Sequence, residues 1–157
     1  MSLIPELNSP AADFALQNTK GEEISLDELK SGKKIVLVFF PLAFSPASTE
    51  GLRVIRDNMK LYNALDAKVI GISVDSFFTL RAFKKSENIN FTLLSDFNRE
   101  VSRDYGVLSD DFSGMKDVAR RAVFVIDREG IIRYKEVIKD LGITYDFRSL
   151  QQALSSI

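Results

Sequence analysis

The sequence predicts an α/β fold in which helices cover both faces of a mixed β-sheet. Two continuous runs of apolar and β-branched residues, 35–40 and 69–74, are typical of strands buried on both faces. Segments with helical periodicity follow both runs. A hairpin pattern and an amphipathic segment complete the chain. Together these observations indicate an α/β layering, although they leave the order of the strands open.

The first part of the chain predicts a hairpin, a short helix and a central strand. Apolar residues on both sides of the turn-forming segment 18–21 favour a short hairpin. Ser25 and Glu28 have the spacing of a capping box, so we expect a short helix that begins after Ser25 and ends at Gly32. The first buried strand, 35–40, follows.

The middle of the chain predicts two further helices, one before and one after the second buried strand. Ser45 is a suitable N-cap for the first of them, and Pro46 suits its first position because the missing N–H costs nothing there. Its apolar residues recur at helical spacing: Leu52, Ile55, Met59 and Tyr62. After the strand 69–74, either Asp75 or Ser76 caps the second helix.

The last third predicts strands, a short helix and a final amphipathic helix. Residues 90–94 form a strand, and residues 98–105 form a helix that Gly106 ends. Residues 121–126 and 131–137 flank a turn with a glycine and therefore predict a β-hairpin. Apolar residues at helical spacing mark the final helix: Phe147, Leu150, Ala153 and Leu154.

Length and charge indicate one ordinary domain covering 1–157. The chain has 21 Lys+Arg against 22 Asp+Glu, a net charge of −1, and no internal repeat or linker. This balance argues against a nucleic-acid partner bound by bulk charge.

The first ten residues carry Glu6 and no basic segment before an apolar core, so we expect no signal peptide. The longest apolar run, 35–44, has about half the length of a membrane-spanning helix. We therefore expect a cytoplasmic protein with no membrane partner.

The residue types that are missing exclude several kinds of chemistry. The chain has no Cys, no His and no Trp. Without Cys there is no disulfide, thiolate nucleophile or zinc–thiolate site. Without His there is no Ser-His-Asp triad and no imidazole base.

The segment that follows the first buried strand is the main candidate site. Ser45, Ser48 and Thr49 place hydroxyl groups at the N-terminus of a helix. Free backbone N–H groups and the positive end of the helix dipole favour an anion, or a nucleophile with a lowered pKa, at such a place. Capping and first-turn roles also explain these hydroxyls, and the pattern alone favours that interpretation.

Charged residues elsewhere are weaker candidates. One of Arg120 and Arg121 has the position to point into the site as an anion ligand, although two solvated arginines at a strand start are commoner. Asp75, Asp110 and Asp111 match no metal-ligand spacing, and no nucleotide-binding motif occurs. We therefore expect no cofactor and no metal. Six phenylalanines are expected in the core, with the 77–78 pair as an alternative interface: Phe39, Phe40, Phe44, Phe77, Phe78 and Phe83.

The spacing of Pro41, Ser45 and Ser48 resembles the active-site loop of the peroxiredoxins, whose pattern is Pro-x-x-x-Thr/Ser-x-x-Cys. Nearly the whole chain shares the resemblance. The other segments that are similar to the family follow in order and at family spacing: 10–16, 71–76, 91–96, 105–107 and 121–127.

The resemblance implies a thioredoxin-like fold and a thiol peroxidase. In that family a Cys thiolate attacks the peroxide O–O bond and becomes a sulfenic acid, which an external thiol reduces. By resemblance, Pro41 shields the site, Ser45 hydrogen-bonds the peroxide, residue 48 carries the sulfur and Arg121 stabilises the thiolate. The implied partners are a hydroperoxide and a thiol reductant. A homodimer or higher homo-oligomer is also implied, with the loops near Phe44 and near Phe77 and Phe78 as contacts.

The chain departs from the family pattern at the reacting atom. Residue 48 is Ser, whose hydroxyl stays protonated at neutral pH without a base, so we expect no peroxidase activity from the chain as written. Gly51 stands where the family usually has Glu, and Arg53 where some members have a second Cys. On helix propensity alone, Gly51 weakens its helix by about 1 kcal/mol relative to Ala.

Two origins of Ser48 remain open. A Cys-to-Ser substitution in a one-Cys peroxidase fits the retained Pro41, Ser45 and Arg121. A natural peroxiredoxin-like protein that has lost the chemistry fits Gly51 and Arg53. The second origin allows a non-enzymatic role as a homo-oligomeric interaction or holdase module. A third hypothesis is an anion-binding module that uses the helix N-terminus and the arginine.

Overall fold

A computed structural model describes residues 3–140 and 144–157. The helices are α1 (Leu26–Lys30), α2 (Pro46–Asp57), α3 (Met59–Ala64), α4 (Phe77–Ser86), α5 (Glu100–Asp104) and α6 (Phe147–Ser155). The strands are β1 (Ala15–Asn18), β2 (Glu23–Ser25), β3 (Lys34–Phe39), β4 (Ala67–Ser73), β5 (Thr92–Ser95), β6 (Leu108–Ser109), β7 (Val118–Ala119), β8 (Ala122–Ile126) and β9 (Ile132–Val137).

One sheet contains seven of the strands, in the order β2-β1-β5-β4-β3-β8-β9. Strands β3, β4 and β5 are parallel, whereas β1 pairs antiparallel with β5 and β8 pairs antiparallel with β3. The predicted mixed sheet is therefore confirmed. Its order depends on long crossovers that local patterns do not encode.

Strand β3 lies between two hydrophobic cores, and every one of its residues is buried. Val36 and Val38 face the core formed with α2, α4 and α6. Ile35 and Leu37 face the opposite core, to which α1 and α5 contribute. The alternation follows from the two-residue period of a strand, and it explains why the predicted run carries no polar residue.

Two local predictions needed correction. The helix predicted through Tyr62 breaks at Asn58, because the Asn58 side-chain amide donates to the Val54 carbonyl at 2.8 Å and competes with the backbone amide that would continue the helix. The small sheet formed by β6 and β7 was not predicted, because strands of two residues have no readable period.

Of the six phenylalanines expected in the core, Phe39, Phe40 and Phe83 are buried, and the expectation is wrong for Phe44, which is 52% exposed. The 77–78 pair agrees with its alternative as a partly exposed surface, since Phe77 is half-buried and Phe78 is 65% exposed. Phe44 and Phe78 both lie just beyond the carboxyl ends of parallel strands. Ser76, rather than Asp75, provides the cap of α4 and accepts from the amide of Thr79 at 3.2 Å. Within the described ranges, no helix combines the length and hydropathy needed to cross a membrane.

Candidate functional site

The carboxyl edge of β3 brings the main candidates to one part of the fold. Phe39 at the end of β3 pairs with Ala122 at the start of β8, so Pro41 and Arg121 emerge at the same edge. Helix α2 then begins at Pro46, with Ser45 in the N-cap position. Ligands of open α/β sheets bind at this edge, beyond the carboxyl ends of the parallel strands.

Ser48 lies in the first turn of α2 and is fully buried. Its hydroxyl finds no hydrogen-bond partner among the residues that the structure describes. Leaving a buried hydroxyl unpaired costs about 1–3 kcal/mol. A thiol at the same position would cost less, because S–H is only a weak donor and buried Cys behaves as a small apolar residue.

The N-cap position of Ser45 is as predicted, but its hydroxyl does not cap the helix. It donates to the Leu42 carbonyl at 2.7 Å instead, and no side-chain cap reaches the first-turn amides. The positive end of the dipole of the 12-residue helix therefore faces the site without a neutralising cap. This is a setting that lowers the pKa of a thiol.

The unpaired hydroxyl of Ser48 leads to a prediction about the stability of the protein. We expect Ser48→Ala to raise the free energy of unfolding by about 1 kcal/mol, because it removes a desolvated polar atom. Ser73 is the matched control, since it is equally buried but donates to the Asp75 carboxylate at 2.6 Å. Ser73→Ala should lower the free energy of unfolding by a similar amount. Urea unfolding measures both variants, and a loss of stability in Ser48→Ala would contradict the assignment.

Arg121 is buried, so the solvated interpretation is wrong for this residue. It is 4% exposed, and its Nη2 donates to the Asp140 carbonyl at 3.3 Å, while the neighbouring Arg120 is half-buried. A cavity of about 20 Å³ is lined by Pro41 and Arg121, among other residues. That volume admits one water-sized group. Ser45 and Ser48 do not line the cavity, although they belong to the same edge of the sheet.

Tyr145 is a site residue that the sequence does not reveal. It is 3% exposed, and its hydroxyl donates to the Phe39 carbonyl at 2.7 Å. A Cβ at residue 51 would lie 2.9 Å from Cε2 and 3.2 Å from Cδ2 of its ring. Gly51 therefore makes room for the ring. Burial raises the pKa of the Tyr145 hydroxyl, which remains a neutral donor.

Asp75, considered above as a cap or a metal ligand, supports the loop that precedes α2. Its carboxylate accepts from the amide of Ala43 at 2.7 Å and from the hydroxyl of Ser73. Burial raises the pKa of this carboxyl, with the hydrogen bonds opposing the rise. Throughout the described ranges, no three acidic side chains group together as metal ligands would.

Comparison with known proteins identifies the family. The model of the AhpC/TSA family matches residues 7–135. The chain belongs to this family, the peroxiredoxins. It is 33% identical to alkyl hydroperoxide reductase E of Mycobacterium bovis over 96% of this chain and 97% of that protein. It is 38% identical to the putative peroxiredoxin bcp of Coxiella burnetii, over 81% and 85% of the two chains.

The fold agrees with that of solved peroxiredoxins. The crystal structure of peroxidoxin BcpB from Mycobacterium tuberculosis superposes with a TM-score of 0.86 at 26% identity, covering 96% of this chain and 97% of that one. The expected thioredoxin-like fold is thereby confirmed. Against the chloroplast peroxiredoxin Q proteins of Triticum aestivum and Suaeda salsa, the chain spans 54% and 58% of the relatives' length.

Two of the three departures from the peroxiredoxin pattern have partners of their own. Gly51 accommodates the Tyr145 ring, and Arg53 forms an ion pair with Glu87 at 2.6 Å. Ser48 differs from both, because its hydroxyl has no partner in the described part of the chain. The structure thus accommodates Gly51 and pairs Arg53, whereas the Ser48 hydroxyl, like that of Ser102, is buried without a hydrogen-bond partner among the described residues.

Proposed function

We propose that this edge of the sheet is the peroxidatic site of a thiol peroxidase that reduces hydroperoxides with an external thiol when residue 48 is Cys, and that the chain with Ser48 is inactive. The observation that carries the proposal is the hydroxyl of Ser48 in the first turn of α2, which is fully buried and has no hydrogen-bond partner among residues 3–140 and 144–157. It marks a position that suits a weakly hydrogen-bonding sulfur better than an oxygen.

The surroundings of residue 48 favour a thiolate. The uncapped N-terminus of α2 and the guanidinium of Arg121 at the same edge both stabilise negative charge there. A thiolate at residue 48 would attack one peroxide oxygen, forming an S–O bond and breaking the O–O bond. The leaving oxygen takes a proton and departs as water or an alcohol. Two equivalents of external thiol then reduce the sulfenic acid, releasing water and leaving a disulfide of the reductant.

Ser45 takes a defined role in this proposal. Its hydroxyl already donates to the Leu42 carbonyl, so its single proton is committed while its lone pairs remain able to accept. We infer that Ser45 accepts a hydrogen bond from the O–H of the hydroperoxide and thereby orients it. Pro41 is buried and lines the small cavity together with Arg121. We infer that it shields this edge of the sheet from water.

Ser48 cannot replace the thiolate in this chemistry. A hydroxyl needs a neighbouring base to become a nucleophile, and the chain has no His. A Cys-to-Ser change is supported by the contrast between Gly51 and Arg53, which the structure accommodates, and the Ser48 hydroxyl, which has no partner within the described part of the chain.

The direct test is to restore the sulfur. We expect Ser48→Cys to consume peroxide in the presence of dithiothreitol at about ten times the rate of a Thr49→Cys control, or faster. Thr49 is the matched control because it lies one residue further along α2 and its hydroxyl donates to the Ser45 carbonyl at 2.8 Å. Equal rates in the two variants would show that residue 48 is not the peroxidatic position.

Self-association belongs to the same proposal. The exposed rings of Phe44 and Phe78 lie beyond neighbouring strand ends and offer apolar surface for a second copy of the chain. Sedimentation velocity of the chain at increasing concentration measures this, and a monomer at all concentrations would count against it. A cytoplasmic location stays a prediction from the sequence.

A further inference from the structure

Tyr145 connects three parts of the site that are distant in the sequence. Its ring lies against Gly51 in α2, and its hydroxyl donates to the carbonyl of Phe39, the last residue of β3. Phe39 in turn pairs with Ala122, which follows Arg121. One buried side chain therefore contacts both the helix and the strand that position residue 48.

The ring lies on the face of α2 that carries residue 48. Residues 48 and 51 are three apart in a helix and therefore neighbours on the same face. A side chain at residue 51 would displace the ring, because even a Cβ would lie 2.9 Å from it. Gly51 and Tyr145 thus form a complementary pair next to Ser48, which is fully buried.

The hydrogen bond of the Tyr145 hydroxyl fixes the position of the ring. An O–H···O distance of 2.7 Å is a well-formed hydrogen bond, and both of its partners are buried. The bond fixes the far end of the ring on β3 while its edge contacts α2. Movement of the N-terminal half of α2 away from β3 would require the ring to lose one of these two contacts.

We propose that Tyr145 is a positioning residue that clamps the N-terminal half of α2 onto the end of β3 and so keeps residue 48 enclosed. Its importance for chemistry rests on the function proposed for residue 48. The clamp itself does not depend on that function, because both contacts exist in the chain with Ser48.

The proposed clamp predicts that amide hydrogens near the start of α2 are protected from exchange with solvent. In the chain as it stands, we expect Tyr145→Phe to speed amide hydrogen exchange at residues 49–52 about fivefold, since one buried hydrogen bond is lost. Tyr105→Phe is the matched control. Tyr105 is equally buried and donates to the Ala12 carbonyl at 2.8 Å, but it lies in the opposite core. The control should leave exchange at residues 49–52 unchanged.

A second measurement uses the thiol as a reporter. Since the chain has no Cys, Ser48→Cys introduces a single thiol whose alkylation by iodoacetamide reports the opening of the site. At a pH well above the thiol pKa, Tyr145→Phe in this background should speed alkylation about fivefold relative to Tyr105→Phe. A merely structural tyrosine would lower the melting temperature in both variants without separating their alkylation rates.

The outcomes separate the clamp from the proposed function. Equal exchange at residues 49–52 in the Tyr145→Phe and Tyr105→Phe variants would overturn the clamp, even if Ser48→Cys were an active peroxidase. Faster exchange in Tyr145→Phe alone supports the clamp, even if Ser48→Cys consumed no peroxide. Equal alkylation rates in the two double variants would likewise overturn it.

Discussion

In the Ser48→Cys background, Arg121→Met is expected to slow the reaction of the introduced thiol with hydrogen peroxide about a hundredfold, because under the proposed function Arg121 is a buried cation that stabilises developing negative charge. Arg121 is 4% exposed, so little water is available to screen or replace its charge. The pKa of the introduced thiol should rise in the same variant. Stopped-flow measurement of the bimolecular rate constant tests the first effect, and ultraviolet absorbance of the thiolate tests the second.

The pH dependence has a definite sign. If Arg121→Met raises the thiol pKa, the variant loses most activity on the acid side, where the thiolate is depleted, and part of the loss disappears as the pH rises above the new pKa. Arg120→Met is the matched control, because Arg120 precedes Arg121 and is only half-buried. It should change the rate less than about twofold. Similar losses in the two variants would remove Arg121 from the site.

Gly51→Ala is expected to destabilise the protein, against the expectation from helix propensity. Alanine would favour the helix by about 1 kcal/mol. Its Cβ, however, would lie 2.9 Å from the Tyr145 ring, which the bond to the Phe39 carbonyl holds in place. Overpacking of this kind costs about 1–3 kcal/mol. Since the ring is held in place, we expect the upper part of this range, about 2–3 kcal/mol, and hence a net loss of about 1–2 kcal/mol in the free energy of unfolding.

The same substitution should change sign when the ring is removed. In a Tyr145→Leu background the space beside residue 51 is no longer filled by the ring, and Gly51→Ala should then stabilise by about 1 kcal/mol. Urea unfolding of the four proteins gives the coupling energy between the two residues, expected to be about 2–3 kcal/mol. Additive effects would show that the close contact does not determine stability.

The parts of the site that the sequence predicts are those that local patterns encode. The buried strand β3, the N-cap position of Ser45 and the first-turn place of Ser48 all follow from neighbouring residues, and the structure agrees. Burial of Arg121 needed the structure, because a pair of arginines at a strand start is usually solvated. The family resemblance, rather than periodicity, favoured its role.

The residues that the sequence does not predict act over long distances in the chain. Tyr145 reaches a carbonyl 106 residues earlier, and nothing in its own neighbourhood signals that contact. Asp75 is one of two candidate caps of the following helix in the sequence, but its carboxylate accepts from the amide of Ala43, 32 residues earlier. From the sequence, Gly51 only weakens its helix. Its effect on packing depends on the Tyr145 ring, which is distant in the sequence.

The bond between Tyr145 and Phe39 also has a consequence during synthesis of the protein. The strand and the first turn of α2 leave the ribosome long before the tyrosine that closes over them, since 106 residues separate the bonded pair. A nascent or truncated chain that ends before Tyr145 lacks this bond. The proposed clamp then predicts that residue 48 is less enclosed in such a chain than in the full one. If residue 48 carries a thiol, oxidants would reach that thiol most easily in the period before Tyr145 makes its bond to Phe39.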